Sequence, residues 1–322
     1  MRLVAACAAL AVAAGASAAE RLMLATWNLE WLMTPQTFDS LASLCLESGR
    51  RTAGNERAIP CDLIPKGRWS EDDLQRLRAF AATLPADIIA LQEIDGRDAA
   101  AQIFPGHEFC FTKRRHVQNV GFAIRRGIPF RCNRDYRALG LTDNEVRWGA
   151  DVTIHPGTPQ ELRLLAVHLK AACHRDPLTA ARPDCRVLQR QVPVLEDWID
   201  RRARAGDAFG VLGDFNRRFD RERKAPRDKT GAIVAMWPEI DDGEPAGADL
   251  VNPGVEHGAV GCSNGHAARM PIDYLILGSR LARRLVPGSY RVQDYPPGSR
   301  WPDHCVISIE LAPEAQGTAN GL

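Results

Sequence analysis

The sequence predicts an α/β protein, because apolar runs of strand length occur beside a segment with helical periodicity. Residues 87–91, 162–167 and 209–212 are short apolar runs next to polar residues, as expected of buried strands. Residues 71–84 instead place apolar side chains on one helical face, and Ser70 stands in the position of an N-terminal cap. The side chains on this face are Leu74, Leu77, Phe80, Ala81 and Leu84.

A second helix is predicted over residues 188–203, where Pro193 should either kink the helix or mark its true start. Residues 170–183 and 217–245 are predicted to be loops. The polar motifs described below are spread along the whole chain, so no boundary would leave a complete site on one side. We therefore expect residues 19–322 to form a single domain.

Residues 38–69 differ from the rest of this domain, because they are largely polar and show little periodicity. They contain Cys45 and Cys61, which predicts an insertion that a disulfide holds in place. The stretch from Pro313 onward is rich in alanine, glycine and glutamine and is expected to be frayed.

Residues 1–18 have the features of a secretion signal. Arg2 gives a positive start, residues 3–14 are apolar but too short to span a bilayer, and Ala16-Ser17-Ala18 fits a cleavage site. No later segment has the run of about 18 apolar residues that a membrane helix requires. The sequence therefore predicts a protein without an integral membrane segment that is exported to the periplasm or secreted.

The cysteines agree with export. The chain has nine, and eight remain after the predicted cleavage because Cys7 leaves with the signal. An even number in an exported chain indicates disulfides, although buried free thiols are an alternative. Zinc binding is disfavoured, since no Cys-x-x-Cys pair occurs. Proximity in sequence favours the pairs Cys45–Cys61, Cys110–Cys132 and Cys173–Cys185, which leaves Cys262–Cys305.

Six short polar motifs adjoin apolar runs. A polar residue at the end of a buried strand is held rigidly and faces a cleft. These motifs supply the asparagine, glutamate, aspartate and histidine side chains that metal-assisted attack on a phosphate ester needs. They are Thr26-Trp27-Asn28, Gln92-Glu93, Val167-His168, Gly213-Asp214-Phe215-Asn216, Ile272-Asp273-Tyr274 and Asp303-His304.

The order of these motifs resembles the endonuclease/exonuclease/phosphatase (DNase I-like) superfamily. Each motif alone is a weak signal, but all six occur in the family order, and the resemblance covers residues 25–309. It implies a four-layer α/β sandwich, in which two packed mixed β-sheets are flanked by helices. It also implies a hydrolase that acts on phosphoester bonds.

The resemblance implies a divalent-metal site formed by Asn28, Glu93 and Asp303. Hard cations such as Mg²⁺ prefer oxygen ligands and keep several waters, so one or two carboxylates suffice. Glu93 is the expected direct ligand and Asn28 its companion, whereas Asp303 completes this site or acts on a second metal. Mg²⁺ is the expected cofactor, with Mn²⁺ or Ca²⁺ as alternatives.

His304 and His168 are the expected acid/base pair, because histidine titrates near neutral pH. The resemblance implies that Asp273 orients His304, which acts as a general base toward water or stabilises the phosphate. His168 would act as a general acid on the leaving oxygen or donate to the phosphate. The sequence does not identify the carboxylate partner of His168, and Glu108 is one candidate.

Asp214 and Asn216 follow the predicted strand at 209–212, and alternate residues point the same way, so both can reach one phosphate. The resemblance implies that Asp214 positions water or accepts a proton and that Asn216 donates to the phosphate. Arg147 is a candidate substrate contact, because a guanidinium suits phosphate, although a surface arginine is an equal alternative. Asn119 is a weaker candidate for lining the substrate site.

Positive and negative charges nearly cancel in this chain. The net charge is +1, and removal of residues 1–18 would take away only Arg2. Neutrality argues against a processive DNA-binding protein but not against a local basic patch. One cluster that could track a polynucleotide follows the Asp214 motif, although interleaved acidic residues also fit a solvated face. Its members are Arg217, Arg218, Arg221, Arg223, Lys224, Arg227 and Lys229.

The sequence thus predicts an exported, divalent-metal-dependent phosphodiesterase, and specifically a monomeric nuclease whose partner is DNA or RNA. The main alternative is a phosphodiesterase or phosphatase that acts on phospholipid, as sphingomyelinases do, or on small phosphoesters. A convincing apolar loop tip for membrane contact is missing from the sequence. A catalytically silent binding subunit is the third possibility, and it is disfavoured because every expected motif residue is present.

Overall fold

Two six-stranded β-sheets form the centre of the molecule. The computed structural model describes residues 21–48, 61–142, 146–255, 271–298 and 300–314. Sheet 1 consists, in spatial order, of β11 (Arg291–Gln293), β12 (Val306–Leu311), β1 (Leu22–Leu32), β2 (Ile88–Ile94), β4 (Asn119–Arg125) and β3 (His107–Phe111). Sheet 2 consists of β5 (Phe130–Cys132), β6 (Ala150–Ile154), β7 (Leu162–His168), β8 (Phe209–Asp214), β10 (Asp273–Gly278) and β9 (Leu250–Val251).

Both sheets are mixed. In sheet 1, β1 pairs in parallel with β2, and in sheet 2, β7 pairs in parallel with β8, whereas the other pairs are antiparallel. Within the described residues, six α-helices accompany the sheets. They are α1 (Pro35–Ser48), α2 (Glu71–Thr83), α3 (Arg97–Ile103), α4 (Pro183–Arg204), α5 (Trp237–Ile240) and α6 (Ser279–Ala282).

The apolar core is divided into layers. Leu24 and Phe122 of sheet 1 meet Leu164, Leu212 and Leu275 of sheet 2 in one cluster of buried side chains, because alternate strand residues point between the sheets. The outer face of sheet 1 packs against α2 and α3, and the outer face of sheet 2 packs against α4. The predicted four-layer sandwich is therefore confirmed.

Helix α2 matches its prediction closely. Ser70 Oγ accepts a hydrogen bond from the Asp73 backbone N–H (3.1 Å), and Asp73 Oδ2 accepts one from the Ser70 N–H (2.9 Å). This reciprocal capping satisfies two donors that a helix start leaves without partners. Leu74 and Leu77 then face sheet 1 and are buried.

Helix α4 begins earlier than predicted. It starts at Pro183 rather than at residue 188, and Pro193 lies inside it. Proline suits the first turn, where the missing N–H would have no helical partner. Pro183 rather than Pro193 therefore marks the start of the helix. The helix continues past Pro193 because Leu188, Val192 and Leu195 pack against sheet 2.

The insertion at residues 38–69 contains more regular structure than its composition suggests. Helix α1 covers Pro35–Ser48, a 3₁₀-helix covers Cys61–Lys66, and the disulfide Cys45–Cys61 joins them. Met33, Leu41 and Cys45 pack with Val117 in a small separate core. This core holds the insertion against the loop between β3 and β4.

Three disulfides occur within the described residues, and they are three of the predicted pairs: Cys45–Cys61, Cys110–Cys132 and Cys173–Cys185. The second joins β3 of sheet 1 to β5 of sheet 2, and the third joins the loop after β7 to the first turn of α4. The predicted pair Cys262–Cys305 lies partly outside the described residues, because Cys262 is not among them.

Replacing both Cys173 and Cys185 with alanine is expected to lower the free energy of unfolding by about 2–4 kcal/mol, because the open chain gains freedom when unfolded. Urea unfolding curves of the oxidised wild type and the double variant measure this difference. Under a reductant that opens every disulfide, the two proteins should unfold at the same urea concentration. A persisting difference would assign the loss to the packing of the two buried side chains.

The segments predicted as loops are mostly irregular. Residues 217–245 contain a 3₁₀-helix at Phe219–Arg221 and the short helix α5, which the sequence analysis did not predict. The predicted signal at residues 1–18 and the stretch from residue 315 lie outside the described residues. Among the helices that the structure describes, none has the length and apolarity needed to cross a bilayer.

Candidate active site

Polar strand ends from both sheets meet at one edge of the sandwich. In sheet 1, Asn28 lies beside Gln92, and in sheet 2, Asp214 lies between His168 and Asp273. The Asn28 amide Nδ2 donates a hydrogen bond to Asp214 Oδ2 across the two sheets (3.1 Å). The structure therefore brings motifs from the beginning, middle and end of the chain into one site.

Glu93 lies at an irregularity in β2. Its φ of 54° is in the left-handed region, and the register of β2 with both neighbouring strands shifts between Leu91 and Ile94. Such backbone is uncommon for a residue other than glycine and occurs often at functional sites. Burial raises the pKa of the Glu93 carboxyl; His304 opposes that rise, and Asp303 adds to it.

The turn that carries Asp214 and Asn216 depends on a close approach of two strands. Gly213 has a φ of 143°, and a Cβ there would lie 2.0 Å from the Val167 carbonyl oxygen. Asp214 Oδ1 accepts the Asn216 N–H at 2.7 Å, and Asn216 Nδ2 donates to the Leu169 carbonyl at 3.1 Å. Asn216, the predicted phosphate donor, therefore also holds the turn against the end of β7.

His304 and Asp273 form a close buried pair, as the resemblance implied. Nδ1 of His304 lies 2.7 Å from Asp273 Oδ2, and because that carboxylate only accepts, Nδ1 is the donor. Nε2 of His304 lies 3.9 Å from both Asp214 Oδ2 and Asp303 Oδ1. Burial alone would lower the His304 pKa, but the three aspartates outweigh burial and raise that pKa well above its usual value.

The electrostatics favour one of the two roles considered for His304. A raised pKa keeps the ring an imidazolium near neutral pH, which suits donation to a phosphate or leaving oxygen. Asp214 is also perturbed: burial and the neighbouring Asp273 raise its pKa to about 7. A carboxyl that titrates near neutral pH is well placed to accept a proton from water.

His168 has the opposite character. It is buried, and burial together with Arg147 lowers its pKa well below the usual value, so the ring is neutral near pH 7. A neutral imidazole suits hydrogen bonding to a phosphate better than proton donation to a leaving group. Its nearest carboxylates are Glu93 (Nε2 to Oε1, 3.6 Å) and Asp214 (Nε2 to Oδ2, 3.5 Å), whereas Glu108 is exposed on β3 and is not its partner.

The concentration of carboxylates at this edge fits a divalent cation. Ligand atoms of Asp214, Asp273 and His304 lie within 4.8 Å of one another, but the His304–Asp273 hydrogen bond already uses one atom from each of these two residues. Glu93 and Asp303 add two further carboxylates that repel each other. Carboxylates outnumber the cationic side chains at this edge. Their hard oxygen atoms suit Mg²⁺, Mn²⁺ or Ca²⁺ rather than softer metals.

Arg147 lies beside this cluster. Its Nε donates to the His168 carbonyl oxygen (3.1 Å), and its Nη2 donates to the Leu169 carbonyl oxygen. It also interacts electrostatically with Glu93 and Asp214. Arg147 is therefore a partly buried residue beside the carboxylates rather than an exposed surface arginine.

Asn119 is less directly placed. Its Nδ2 donates to the His116 carbonyl oxygen, and its Oδ1 accepts from Thr112 Oγ1 at 3.3 Å. These bonds close the loop between β3 and β4 at its base. The side chain predicted to line the substrate site is thus engaged within that loop.

Two members of the basic cluster, Arg217 and Arg218, are not part of an exposed surface. Arg217 is 1% exposed, with Nε bonded to Glu222 and Nη1 donating to the carbonyls of Cys173 (2.8 Å) and Asp176 (2.6 Å). Arg218 is also buried and is paired with Asp220. Neither of the two interpretations of this cluster, a polynucleotide-tracking surface or a solvated face, holds for Arg217 and Arg218, because both are buried and paired inside the fold.

The structure also reveals a residue near the site that the sequence analysis missed. Nδ1 of His174 lies 2.9 Å from the Asn216 carbonyl oxygen and therefore donates to it. The Arg218 N–H donates to the His174 carbonyl oxygen (2.9 Å), so the loop after β7 is tied to the turn after β8. No apolar run ends at His174, so its place beside the site could not be predicted from local sequence.

Comparisons with known proteins agree with this arrangement. Residues 25–314 match the model of the Endonuclease/Exonuclease/phosphatase family. No curated protein matches the sequence.

Similar solved structures share the fold at low identity. A humanized TDP2 of D. rerio is 16% identical with a TM-score of 0.54, over 90% of this chain and 98% of that one. The 3′–5′ exonuclease of Neisseria meningitidis is 16% identical with a TM-score of 0.52, over 90% and 100%. The AP endonuclease of Leishmania major is 19% identical with a TM-score of 0.52, over 91% and 88%.

Proposed function

This chain belongs to the endonuclease/exonuclease/phosphatase family, and on that premise we propose that it is an exported, divalent-metal-dependent nuclease. Membership of the family makes it a phosphoester hydrolase. One observation carries the proposal for this site: the imidazole of His304 is held by Asp273 at 2.7 Å, and its other nitrogen lies 3.9 Å from the Asp214 carboxylate. The His304 Nε2 donor and the Asp214 carboxylate acceptor therefore face the same space.

Glu93, Asn28 and Asp303 would hold the metal. A carboxylate, an amide oxygen and a further carboxylate are the ligand types that Mg²⁺ prefers, and Mn²⁺ or Ca²⁺ accept the same set. A bound divalent cation would neutralise charge on the phosphoryl oxygens and on the leaving oxygen. In this structure Asn28 Nδ2 donates to Asp214 Oδ2 (3.1 Å) and Asn28 Oδ1 accepts the Glu30 N–H (3.1 Å), so a cation would use the second lone pair of that oxygen.

The other side chains of the site have separate roles in hydrolysis. Asp214, whose pKa is raised to about 7, orients the attacking water and accepts its proton. His304 as an imidazolium donates to the phosphoryl group and the leaving oxygen. His168 as a neutral ring donates to a second phosphoryl oxygen, and Asn216 holds the turn in register with β7.

Nucleic acid is the substrate that we favour. The structural relatives include proteins named an exonuclease and an AP endonuclease, which supports a polynucleotide substrate. The three disulfides support export, because such bonds persist in oxidising compartments. Hydrolysis of phospholipid or of small phosphoesters instead would be detected in the assay described next.

The decisive experiment is an assay of the purified protein on supercoiled plasmid, linear duplex, structured RNA, sphingomyelin vesicles and bis(p-nitrophenyl) phosphate. We expect cleavage of nucleic acid with Mg²⁺ and none with excess EDTA. Cleavage of sphingomyelin alone would replace the nuclease proposal with a lipid phosphodiesterase. Equal activity with Mg²⁺ and with excess EDTA would show that hydrolysis does not depend on a divalent metal.

Substitution of Glu93 by glutamine tests the metal site. Loss of a charged ligand should shift the Mg²⁺ concentration for half-maximal activity upward by at least about tenfold. The measurements are activity against Mg²⁺ concentration and calorimetric titration with Mn²⁺. Glu108→Gln is the matched control, because Glu108 is exposed on β3. A wild-type titration curve for Glu93→Gln would exclude Glu93 as a ligand.

A further inference from the structure

We propose that Tyr295 and Arg300 are positioning residues for His304. They fasten the segment at residues 300–305 to the end of β1, so that His304 is held at a fixed place relative to Asn28. The inference rests on the proposed function and adds two residues that act through His304 rather than on the substrate. It is carried by two separate sets of contacts, one through the Tyr295 hydroxyl and one through the Arg300 guanidinium.

The segment at residues 300–305 carries His304 but lies outside the helices and strands. The strand pairing of β12 begins only at Val306, so the sheet does not fix the backbone of His304. A displacement of about 1 Å in a reacting group can lower the rate by about 10²-fold. Asp273 holds the ring of His304, and the backbone of the segment requires a support of its own.

The hydroxyl of Tyr295 supplies this support from inside the core. It donates a hydrogen bond to the His304 carbonyl oxygen and accepts one from Trp27 Nε1 (2.7 Å). Trp27 directly precedes Asn28 in β1. Burial raises the pKa of Tyr295 well above its usual value, so the hydroxyl keeps its proton and remains a donor. One hydroxyl therefore joins the backbone of His304 to the residue beside Asn28.

Aromatic packing fixes the ring that carries this hydroxyl. Tyr295 is 4% exposed and stacks on Trp301, with ring centroids 4.9 Å apart and planes inclined by 2°. Phe80 of α2 contacts the same ring, with centroids 5.0 Å apart. Trp301 belongs to the segment itself, and its Nε1 donates to the Pro296 carbonyl oxygen (3.0 Å). The stack therefore gives the hydroxyl a fixed direction and also restrains the segment.

Arg300 fastens the start of the segment to the disulfide-held insertion. Its guanidinium carbon lies 4.2 Å from the centroid of the Trp69 ring, a cation–π contact. Its Nη1 donates to the carbonyl oxygens of Gly67 (3.2 Å) and Arg68 (3.1 Å). Arg300 thus uses both the face of its guanidinium and one of its N–H groups to hold the insertion.

The insertion connects this contact to the end of β1. Trp69 Nε1 donates to the Glu30 carbonyl oxygen (3.3 Å), and Lys66 Nζ lies 3.0 Å from Glu30 Oε1. The Glu30 N–H donates to Asn28 Oδ1 (3.1 Å). Glu30 has a φ of 43°, which is uncommon for a residue other than glycine, so its backbone depends on such contacts. The insertion therefore links the segment of His304 to the residue proposed to hold the metal.

A role in stability alone predicts a different outcome from a role in positioning. The Tyr295 hydroxyl is the acceptor for the buried Trp27 indole N–H, so its removal should lower the thermal midpoint in either case. Positioning predicts in addition that the surroundings of the His304 ring change. It also predicts that kcat falls while KM is retained at temperatures at which the protein is fully folded.

The test compares Tyr295→Phe, Arg300→Gln and Arg300→Lys in the full chain, with Tyr136→Phe as the matched control. The Tyr136 hydroxyl also donates to a backbone carbonyl, that of Val194 (2.6 Å), but it lies against α4. The first readout is kcat and KM on an oligonucleotide and on bis(p-nitrophenyl) phosphate at saturating Mg²⁺. The second is the NMR resonance of the His304 Nδ1 proton in protein labelled with ¹⁵N-histidine, identified by its loss in His304→Ala.

We expect Tyr295→Phe to lower kcat by about 10–10²-fold and to keep KM within about twofold, because a displaced catalytic group loses rate rather than binding. The His304 Nδ1 proton resonance should shift or broaden. Arg300→Gln should produce both effects to a smaller extent, and Arg300→Lys should recover part of the loss. Tyr136→Phe should lower the thermal midpoint and leave both readouts as in the wild type.

Two results would overturn the positioning role. One is an unmoved His304 resonance with wild-type kcat in folded Tyr295→Phe and Arg300→Gln. The other is an equal loss of kcat in Tyr136→Phe, which would assign the effect to general destabilisation. Wild-type protein that hydrolyses none of the substrates would instead refute the proposed function, and the His304 resonance would still decide whether Tyr295 and Arg300 position the ring.

Discussion

Replacing His304 with alanine is expected to reduce kcat on a nucleic-acid substrate by about 10²–10⁴-fold, the usual contribution of a positioned proton donor. The reason lies in its surroundings: Asp273 fixes Nδ1 at 2.7 Å, and the buried aspartates keep the ring protonated near neutral pH. Steady-state assays with saturating Mg²⁺ measure the effect. The fold should survive, because the imidazole lies at the edge of the sandwich rather than between its sheets.

A control separates chemistry from general damage. His155 is a partly exposed histidine in the turn between β6 and β7, away from the polar strand ends, and His155→Ala should keep wild-type kcat. Circular dichroism and thermal midpoints of both variants complete the comparison. A loss below about tenfold for folded His304→Ala would rule out an acid/base role for this residue.

The second large effect concerns stability. Arg217 and Glu222 form an ion pair in which both side chains are 2% exposed, and Glu222 also accepts the N–H groups of Met236 (2.8 Å) and Trp237 (2.6 Å). Glu222→Gln would leave the Arg217 charge buried without its counterion. We expect the free energy of unfolding to fall by about 3–5 kcal/mol, as for other buried pairs that lose one partner.

An exposed pair provides the comparison for this prediction. Arg68 and Asp39 lie 2.6 Å apart, with side chains 51% and 58% exposed. Asp39→Asn should change the free energy of unfolding by no more than about 1 kcal/mol, because water screens the charges. Urea unfolding of both variants gives the two values. Similar small losses in both would mean that Arg217 finds another counterion or water when Glu222 is neutral.

Much of the site could be predicted because strand ends are local signals. An apolar run fixes where a buried strand stops, and the first polar residue after it must face the edge of the sheet. His168 and Asp214 follow from this rule, whereas the first polar residue after the run that ends at Leu91 is Gln92. The family resemblance selected Glu93 and joined Asp273 to His304. These residues come together because the strands pair in a particular register. That register depends on several segments and cannot be deduced from any one of them.

The features that could not be predicted depend on contacts between distant segments. Arg217 belongs to a run of charges that fits a solvated face, and only the carbonyls of Cys173 and Asp176 show why it is buried. The neighbours of His168 come from a different sheet and a different strand. Helix α1 carries apolar residues at Phe38, Leu41, Leu44, Cys45 and Leu46. The polar residues at 49–58 dominate the composition of 38–69, and for that reason the sequence analysis predicted an irregular insertion there.

The strand order has a consequence for how the protein is made. β12, near the end of the chain, lies between β11 and β1, and Asp303 and His304 directly precede it. A nascent chain that has not yet reached residue 304 has neither His304 nor β12, so the edge of β1 that pairs with β12 is open. A chain that stops before residue 304 lacks the histidine to which we assign proton donation, and we expect it not to hydrolyse phosphoesters.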